Sequence, residues 1–302
     1  MNCILCGSTD IETVATVVSD FVMSRICKNY KWKENYKTNL CFCKNCSFAY
    51  YDYRFNEEET YNLYKNYRNE NYQKTREFYE CWYTPRINQL LNNDLIMLNE
   101  QKKQITTMLF SNTSNEIKIA LDYGGNEGKT FTDKIGTEKQ YVYDISKVRP
   151  IEGIELITKS TDLTKYNYDF IMCNALFEHL AYPIDVLKQI AKLGNAHTFF
   201  YIEVPSENPF IKGNKFSVIK NLKLIFNPNY SLRRLVRFYF KSRRGPFMPM
   251  KEHINFFTKK SLQIMLEMNG FEVLELNETV RKSSLGDSEL LTVLFKKKLF
   301  ND

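Results

Sequence analysis

The sequence contains no apolar run long enough to cross a membrane, which requires about 20 consecutive apolar residues. It also lacks internal repeats and low-complexity tracts, so a repeat architecture is not expected. The first residues, MNCILC, lack the basic and apolar regions of a signal peptide. At 302 residues the chain can bury the core of one large domain plus a small one. We therefore expect a cytoplasmic protein with reduced thiols.

Acidic residues are nearly absent from one segment, residues 206–251. This segment holds eleven Lys and Arg residues and one acid, Glu207, which gives it a charge of +10. The whole chain has a net charge of +7, so the remainder sums to −3. Because the basicity is local, the sequence does not indicate a surface that binds nucleic acid generally.

The most informative stretch is residues 117–146. A short apolar run ends at Asp122, and a glycine-rich turn, GGNEG, follows at residues 124–128. The pattern then predicts a helix and a second apolar run that ends in an acid, Asp144. A strand, tight turn, helix and strand, with an acid about 20 residues past the turn, is typical of sites that bind nucleotide-like cofactors.

Apolar runs and helix patterns alternate from residue 117 onwards. Strands are predicted at 117–122, 140–144, 153–157, 168–174, 197–204, 271–276 and 290–296, and helices at 183–193 and 258–269. This alternation predicts an α/β fold with a mainly parallel, Rossmann-like sheet. Because no helix pattern separates the last two strands, we expect one antiparallel strand at the end. Earlier in the chain, residues 57–82 are expected to be helical, and Thr84-Pro85 predicts the start of a helix whose apolar face continues to Leu98.

The residues at the carboxyl ends of the predicted strands form the candidate cofactor site. Gly124 and Gly128 would let the backbone approach a ligand, and Asn126 stands where a third glycine often stands. Asp144 could bind two ribose hydroxyls, and Asp162 an adenine amino group. The candidates are Asp122, Gly124, Gly125, Asn126, Gly128, Asp144, Ile145, Asp162, Leu163 and Asn174. The alternative is a tight turn with surface acids in an α/β domain of another kind.

Two pairs of closely spaced cysteines lie in the first 50 residues. Cys3 and Cys6 form the first pair, and Cys43 and Cys46 form the second. Two such pairs can supply four thiolates to one structural Zn²⁺, which would stabilise a module too small for its own core. The alternatives are buried thiols or a redox pair, and Cys41 is a competing ligand. We predict a structural zinc site, because a thioredoxin-like redox pair normally lies in a βαβ context.

Five segments carry a resemblance to a known family. In chain order they read LDYGGNEG, YVYDIS, YDFIMCNALFEHL, FFYIEVP and EHINFFTKKSLQIMLEMNGFEV. They resemble the successive motifs of class I S-adenosylmethionine-dependent methyltransferases over about residues 115–297. The resemblance implies a seven-stranded sheet with an antiparallel last strand, and a cofactor bound over residues 124–128. It also implies that Asp144 binds the ribose and that Asp162 lies beside the adenine. A dinucleotide oxidoreductase is a poor rival, because nothing indicates a second nucleotide-binding half.

The N-terminal motifs carry a second resemblance. CILCG, CFCKNCSFAYYD and YNLYKNYRNENY are similar to the zinc-binding leader of sugar C-methyltransferases, which act on nucleotide-linked deoxysugars. Those enzymes have a further large C-terminal domain and a Tyr-x-Glu-His pattern, where this sequence has LFEH. We therefore expect a related but different acceptor. The expected division is a zinc-binding module at 1–56, a helical linker at 57–114 and a methyltransferase domain at 115–302 with a basic insertion at 206–251.

One Glu-His pair and a further histidine are candidates for the chemistry. Glu178 and His179 follow the predicted strand that ends at Asn174, so we expect them beside the cofactor. His179 is the candidate base, because an imidazole titrates near neutrality, and His253 is the second candidate. The alternatives are a helix cap or packing role for the first pair and a structural hydrogen bond for His253.

Candidate acceptor-binding residues come from three parts of the chain. Glu203 ends a predicted strand, and Tyr72 and Arg76 lie on the predicted linking helix. In the basic segment, forked guanidinium contacts to a phosphate could come from Arg233, Arg234 and Arg237. The alternatives for this segment are a helix on an anionic membrane surface and a solvated loop.

The sequence thus predicts a methyltransferase that moves a methyl group from S-adenosylmethionine to a small anionic acceptor. We expect O-methylation of a nucleotide-linked or phosphorylated sugar in surface-polysaccharide biosynthesis. The alternatives are C-methylation of a nucleotide-linked keto-sugar, RNA methylation, and a non-catalytic zinc-containing binding protein on a degenerate methyltransferase fold. No nucleic-acid partner is expected, peripheral membrane contact is left open, and the sequence does not predict the oligomeric state.

Overall fold

A computed structural model of the chain describes residues 1–30, 36–80, 82–211 and 248–298. Most of the predicted basic insertion, including Arg233, Arg234 and Arg237, lies outside the described residues.

The N-terminal part forms a small antiparallel sheet with one helix. Its elements are β1 (Ile11–Val17), α1 (Asp20–Ile26), β2 (Lys37–Cys43) and β3 (Ala49–Tyr51). The strand order is β1-β2-β3-β9, where β9 (Asn255–Phe256) comes from the far end of the chain. The edge of this sheet is thus completed by a segment some 200 residues later in the sequence.

Four helices connect this sheet to the second one. They are α2 (Glu57–Tyr64), α3 (Glu70–Tyr79), α4 (Pro85–Asn93) and α5 (Leu95–Asn112). The helix expected over residues 57–82 is two helices, because Asn66 and Arg68 between them have positive φ angles of 57° and 59°. Left-handed residues end a helix, and Asn56 and Asn69 cap the two pieces.

The predicted start of α4 is confirmed, but its predicted length is wrong. Thr84 caps the helix and Pro85 occupies its first turn, as expected. The apolar face was expected to continue to Leu98, but the helix ends before Asp94. The Asp94 carboxylate accepts from Ile96 N and Met97 N at the start of α5.

Within the described part of the chain, no helix combines the length and apolarity needed to cross a membrane.

The second sheet has seven strands and is mainly parallel. It contains β4 (Ile117–Tyr123), β5 (Ile135–Tyr143), β6 (Glu155–Ile157), β7 (Phe170–Asn174), β8 (Phe199–Pro205), β10 (Phe271–Arg281) and β11 (Ser288–Lys297). The order is β10-β11-β8-β7-β4-β5-β6, and β11 runs antiparallel to both of its neighbours. The predicted fold class, with an antiparallel last strand, is therefore confirmed.

The helix expected after the glycine-rich turn is absent. Residues 124–134 form turns and irregular chain, and β5 begins at Ile135 rather than at 140. A helical crossover between parallel strands usually needs a dozen or more residues, and this connection is shorter. In addition, Thr130 Oγ1 donates to Asp122 and Phe131 is buried in the core, so both side chains are committed to contacts that a helix would disrupt.

Helices and the small sheet cover the two faces of the large sheet. On one face, α5 packs Ile105, Met108 and Leu109 against the strands. The other face packs against α6 (Pro183–Leu193) and α7 (Lys259–Met268), both predicted, and its apolar cluster runs on into the cysteine-rich module. The central strands are therefore buried on both faces, which leaves their carboxyl ends as the place for a ligand.

Arg54 joins the N-terminal part to the large sheet. Its guanidinium group donates to the carbonyl oxygens of Leu180 and Ala181, at 2.8 and 2.7 Å. It also donates to the Asn255 side chain, whose own Nδ2 reaches the Leu180 carbonyl oxygen at 2.7 Å. These contacts fix the turn that follows β7.

Candidate active site

The glycine-rich turn after β4 is tightly packed. Gly124 and Gly128 have φ angles of +83° and +73°, in the left-handed region that favours glycine. A Cβ atom built on Gly125 would lie 2.3 Å from Cγ of Asp122, so this position has no room for a side chain. Asn126 also has a positive φ, 51°, so it takes the role of a third glycine. The turn therefore presents backbone rather than side chains at the strand ends.

Asp144 ties this turn to the end of β5. One of its carboxylate oxygens accepts from Asn126 N at 3.0 Å. The other accepts from the backbone N and the hydroxyl of Ser146, at 2.7 and 2.6 Å. The neighbouring Ile145 side chain is half exposed. The structure thus brings the turn and the predicted ribose-binding acid together at one edge of the sheet.

Asp122 is buried beside Asn174 at this same edge. Its carboxylate accepts from Thr130 Oγ1 at 2.6 Å and from Asn174 Nδ2 at 3.5 Å. Burial raises the pKa of Asp122 to about 7, because a carboxylate loses its hydration there. Asn174 Oδ1 is buried and has no hydrogen-bond partner among the described residues. A buried acceptor of this kind is open to a donor on a ligand.

Asp162 and Leu163 lie in a short 3-10 helix, Ser160–Lys165, that follows β6. Asp162 forms a partly exposed ion pair with Lys165 at 2.8 Å. Leu163 is buried in the core, so only its backbone could contact a ligand.

Glu178, His179 and His253 form a cluster next to the end of β7. Glu178 and His179 lie in the one-turn 3-10 helix Phe177–His179, and the imidazole rings of His179 and His253 have centroids 4.7 Å apart. Glu178 Oε1 lies 4.0 Å from His179 Nε2. Both carboxylate oxygens of Glu178 are buried without a hydrogen-bond partner in the described part of the chain. The structure therefore brings together all three residues proposed for the chemistry.

The imidazole nitrogens of the two histidines are held in the same way. His179 Nδ1 lies 3.0 Å from the Glu252 carbonyl oxygen and 2.9 Å from the Tyr64 hydroxyl oxygen. Since a carbonyl oxygen only accepts, His179 Nδ1 carries the proton and Nε2 keeps its lone pair. His253 Nδ1 lies 3.0 Å from the Glu207 carboxylate. Both Nε2 atoms are therefore left for other contacts.

The three groups have displaced pKa values. Burial raises the pKa of Glu178 to about 7 and lowers that of His179 to about 3. Burial also acts to lower the pKa of His253, but the Glu207 carboxylate outweighs it and the pKa rises to about 9. Groups displaced in opposite directions within one cluster are typical of functional sites.

Tyr72 and Arg76 are linked to this cluster through Glu252. The Tyr72 hydroxyl donates to the Glu252 carboxylate, and an Arg76 nitrogen lies 2.7 Å from its other oxygen. Arg76 also pairs with Glu80 at 2.9 Å. Both predicted acceptor-binding side chains are buried, so they position Glu252, whose carbonyl oxygen in turn holds His179.

Glu203 lies beside Asn174 on the adjacent strand, but its carboxylate is occupied. Arg281 donates to both of its oxygens, and Gln101 Nε2 and the Tyr201 hydroxyl donate to them at 3.0 Å each. A carboxylate with four donors has little capacity left for an acceptor molecule.

Three residues of the cluster were missed in the sequence: Tyr64, Glu207 and Glu252. Two of them had a signal. Glu252 forms a second Glu-His pair with His253, and Glu207 is the single acid of the basic segment. Tyr64 had none, because a contact across 115 residues leaves no local pattern.

A family model described as "Methyltransferase domain" matches residues 98–276, which is more than half of the chain. The chain belongs to this methyltransferase family. The predicted methyltransferase is thereby confirmed at the level of the family. The matched region contains the glycine-rich turn, Asp144 and the Glu178–His179–His253 cluster of the methyltransferase.

Solved structures of other methyltransferases resemble the chain at low identity. The plantazolicin methyltransferase BpumL, in complex with S-adenosylhomocysteine, is 12% identical, with a TM-score of 0.44 over 74% of this chain and 93% of that chain. A methyltransferase from Anabaena variabilis is 13% identical, with a TM-score of 0.45 over 68% and 89%. Magnesium protoporphyrin IX methyltransferase from Synechocystis is 12% identical, with a TM-score of 0.40 over 65% and 83%. No curated protein sequence matches the chain.

The methyltransferase also carries a four-cysteine cluster in its N-terminal part. The Sγ atoms of Cys3, Cys6, Cys43 and Cys46 all lie within 4.8 Å of one another. The closest pairs, Cys3–Cys46 and Cys6–Cys43, are 3.7 and 3.6 Å apart, which is too long for a disulfide. Four thiolates about 2.3 Å from a zinc ion would be separated by about 3.8 Å in a tetrahedron. The residues therefore fit a tetrahedral metal ion.

The pKa of Asp122 predicts a pH-dependent stability for the methyltransferase. In the unfolded chain Asp122 ionises near pH 4, whereas in the folded chain it keeps its proton up to about pH 7. The unfolded state therefore gains stability as the pH rises through this window, and the free energy of unfolding falls. Between pH 5.5 and 7.5 the loss from this one group should be about 2 kcal/mol.

Urea unfolding of the wild type and of Asp122→Asn at these two pH values measures this effect, because the contributions of other groups cancel in the difference. Asp122→Asn should gain about 2 kcal/mol over the wild type between pH 5.5 and 7.5. Asp133→Asn is the matched control, since Asp133 is exposed on the same connection and should show no such gain. A difference for Asp122→Asn that does not change with pH would contradict the assignment.

Proposed function

We propose that this methyltransferase binds S-adenosylmethionine over the glycine-rich turn and transfers its methyl group to an acceptor beside Glu178 and His179. One observation carries the proposal: Asp122, Asn126, Asp144 and Asn174 converge at the carboxyl ends of β4, β5 and β7, and the Glu-His pair directly follows β7. Donor and acceptor would thus meet at one edge of the sheet, as an in-line displacement requires.

For the acceptor, we propose the hydroxyl group of a small anionic molecule, and a nucleotide-linked or phosphorylated sugar fits best. Two features support this. The Glu178–His179–His253 cluster can take part in removing the proton of a hydroxyl group. Residues 206–251 supply ten more positive charges than negative ones. Arginines in that segment suit a phosphate or diphosphate group.

For the cysteine cluster, we propose a structural Zn²⁺ held by Cys3, Cys6, Cys43 and Cys46. Four thiolates leave no position for a catalytic water, so the ion would stabilise the fold rather than take part in methyl transfer. The spacing of the sulfur atoms supports this role.

Calorimetric titration with S-adenosylmethionine and S-adenosylhomocysteine tests the donor site. The wild type should bind one molecule of either ligand per chain with a micromolar dissociation constant. Asp144→Asn should weaken binding at least tenfold, because it removes charge-assisted hydrogen bonds from the ribose hydroxyls and weakens the hydrogen bond from Asn126 N. Asp133→Asn, on the exposed side of the same connection, should bind like the wild type.

The same titration separates the enzyme from a non-catalytic binding protein. Folded, zinc-loaded protein that binds neither ligand would exclude the donor site and favour the degenerate-fold alternative. If both ligands bind, release of S-adenosylhomocysteine is then measured with a panel of sugar nucleotides and phosphorylated sugars.

C-methylation of a keto-sugar is a second candidate, and one observation favours it. The LFEH segment lacks the Tyr, but Tyr64 from another part of the chain places its hydroxyl 2.9 Å from His179 Nδ1. Nuclear magnetic resonance of the product separates the two candidates. A methyl group on carbon would favour C-methylation, and a methyl ether O-methylation.

A further inference from the structure

We propose that Glu178, His179 and His253 bind a divalent transition-metal cation, and that this cation holds the acceptor oxygen beside the donor methyl group. The binding of the cation stands on geometry alone. Its role in holding the acceptor rests on the proposed function.

The donor set is one carboxylate and two imidazoles. Each residue offers one ligand atom, and the three atoms lie within 4.8 Å of one another. Two histidines and a carboxylate on one face of an ion are a known ligand set for divalent transition metals. With bonds of about 2.1 Å, the ion would draw neighbouring ligand atoms to about 3 Å from one another, which side-chain rotation can supply.

The hydrogen bonds around the two histidines suit this ligand role. Metal-binding histidines almost always donate their second ring N–H to a carbonyl or carboxylate oxygen. Here His179 Nδ1 donates to the Glu252 carbonyl oxygen and His253 Nδ1 to the Glu207 carboxylate, each at 3.0 Å. His179 Nε2 thereby presents its lone pair, and His253 Nε2 would release its proton as the cation binds. If the two imidazoles served only for packing, there would be no reason for both of them to donate from Nδ1 and leave Nε2 without such a contact.

Glu178 gives an independent reason for a cation. Its side chain is only 2% exposed, and neither carboxylate oxygen has a hydrogen-bond partner in the described part of the chain. A buried carboxyl group without partners is costly, and buried carboxylates are usually paired or bound to metal ions. Glu207 adds negative charge close by, next to His253. A divalent cation would satisfy Glu178 and match this charge.

The solvent exposure of the side chains increases across the cluster. The side-chain exposure rises from 2% at Glu178 to 16% at His179 and 34% at His253. A cation bound here is therefore reachable from one side. Three protein ligands leave positions free on a six-coordinate ion, and these can take an acceptor oxygen and water.

The cation would supply the chemistry that a hydroxyl acceptor needs. A hydroxyl oxygen bound to the ion has a lowered pKa and loses its proton to solvent. A lone pair on that oxygen then forms the bond to the methyl carbon. The bond from carbon to sulfur breaks, and its electron pair stays on the sulfur of S-adenosylhomocysteine. In this arrangement His179 is a ligand rather than the base.

The cation site can be tested apart from the cysteine cluster. Thiolates are soft ligands that favour zinc, whereas imidazole and carboxylate together accept Mn²⁺. Protein that holds one zinc ion per chain is therefore titrated with MnCl₂ alone, and free Mn²⁺ is measured by electron paramagnetic resonance. The wild type should bind one Mn²⁺ per chain with a micromolar dissociation constant, and pulsed measurements should show two imidazole nitrogens coupled to the ion.

The histidines and the glutamate offer matched variants. Glu178→Gln and His253→Ala should each weaken Mn²⁺ binding at least tenfold, and His253→Ala should leave one coupled nitrogen at saturating Mn²⁺. His197→Ala, which removes the exposed third histidine, should bind like the wild type. Circular dichroism and zinc content confirm that each variant is folded.

The failure of this proposal differs from a failure of the proposed function. If wild-type protein binds S-adenosylmethionine but neither binds Mn²⁺ nor shows coupled nitrogens, the cation site is excluded and the donor site stands. If Mn²⁺ binds with two coupled nitrogens but no sugar is methylated, the cation site stands and the acceptor assignment falls. Mn²⁺ binding that Glu178→Gln and His253→Ala leave unchanged would place the ion elsewhere and overturn the proposal.

Discussion

Cys46→Ala should release the bound metal and lower the melting temperature by on the order of 10 °C or more. Cys46 is buried, and its sulfur lies 3.7 Å from that of Cys3, so the cluster links the first residues of the chain to the turn between β2 and β3. The apparent free energy of zinc binding by four-ligand sites is roughly 10–16 kcal/mol at neutral pH. Removing one ligand forfeits a large part of it.

Cys41→Ala is the matched control for this experiment. Cys41 is buried on the neighbouring strand, but its Sγ lies 3.5 Å from the Met1 sulfur and does not belong to the four-cysteine cluster. Mass spectrometry for metal content and a thermal melt followed by circular dichroism measure both effects. The zinc proposal fails if Cys46→Ala retains as much zinc per chain as the wild type, or if the wild type contains none after purification in zinc-supplemented medium.

His179→Ala should lower kcat by about 10²–10⁴-fold and leave the affinity for S-adenosylmethionine within about twofold. The imidazole adjoins Glu178 and His253 rather than the glycine-rich turn, so its loss should affect the acceptor and not the donor. This holds whether Nε2 removes a proton or binds a cation. The mutation also removes an imidazole beside Glu178, and we do not expect Glu178 alone to restore activity.

Donor affinity by calorimetry and turnover by release of S-adenosylhomocysteine measure the two sides of this prediction. His197→Ala provides the control, because it removes an exposed imidazole outside the cluster. A fully active His179→Ala enzyme would exclude His179 as base or as ligand. A variant that loses donor binding as well would show that the cluster supports the fold of the donor site.

Much of the large sheet could be predicted from the sequence, because its signals are local. Thr84 and Thr258 cap helices where their spacing indicated, and the apolar runs became strands within a few residues. The missing helix after the glycine-rich turn had no such signal. Its absence depends on the short distance between β4 and β5 and on the contacts of Thr130 and Phe131, which appear only when the chain is folded.

The candidate site was predictable in its members but not in their partners. Glu178, His179 and His253 could be named from residue type and position. The sequence does not indicate that Arg281 pairs with Glu203, or that Tyr72 and Arg76 hold Glu252. These contacts join residues 78 to 180 positions apart and leave no local pattern. Charged residues at strand ends look alike in the sequence whether they face a ligand or an ion-pair partner.

The strand Asn255–Phe256 has a consequence for how such a chain can be altered. This strand completes the N-terminal sheet, and Arg54 donates hydrogen bonds to the carbonyl oxygens of Leu180 and Ala181. The N-terminal module, the leader, therefore cannot simply be exchanged for that of another protein. A chimera with a leader from another protein would need an edge strand just before α7 that pairs with that leader. It would also need a cationic side chain in the place of Arg54 to hold the turn after β7. Leader and catalytic sheet are thus constrained to diverge together.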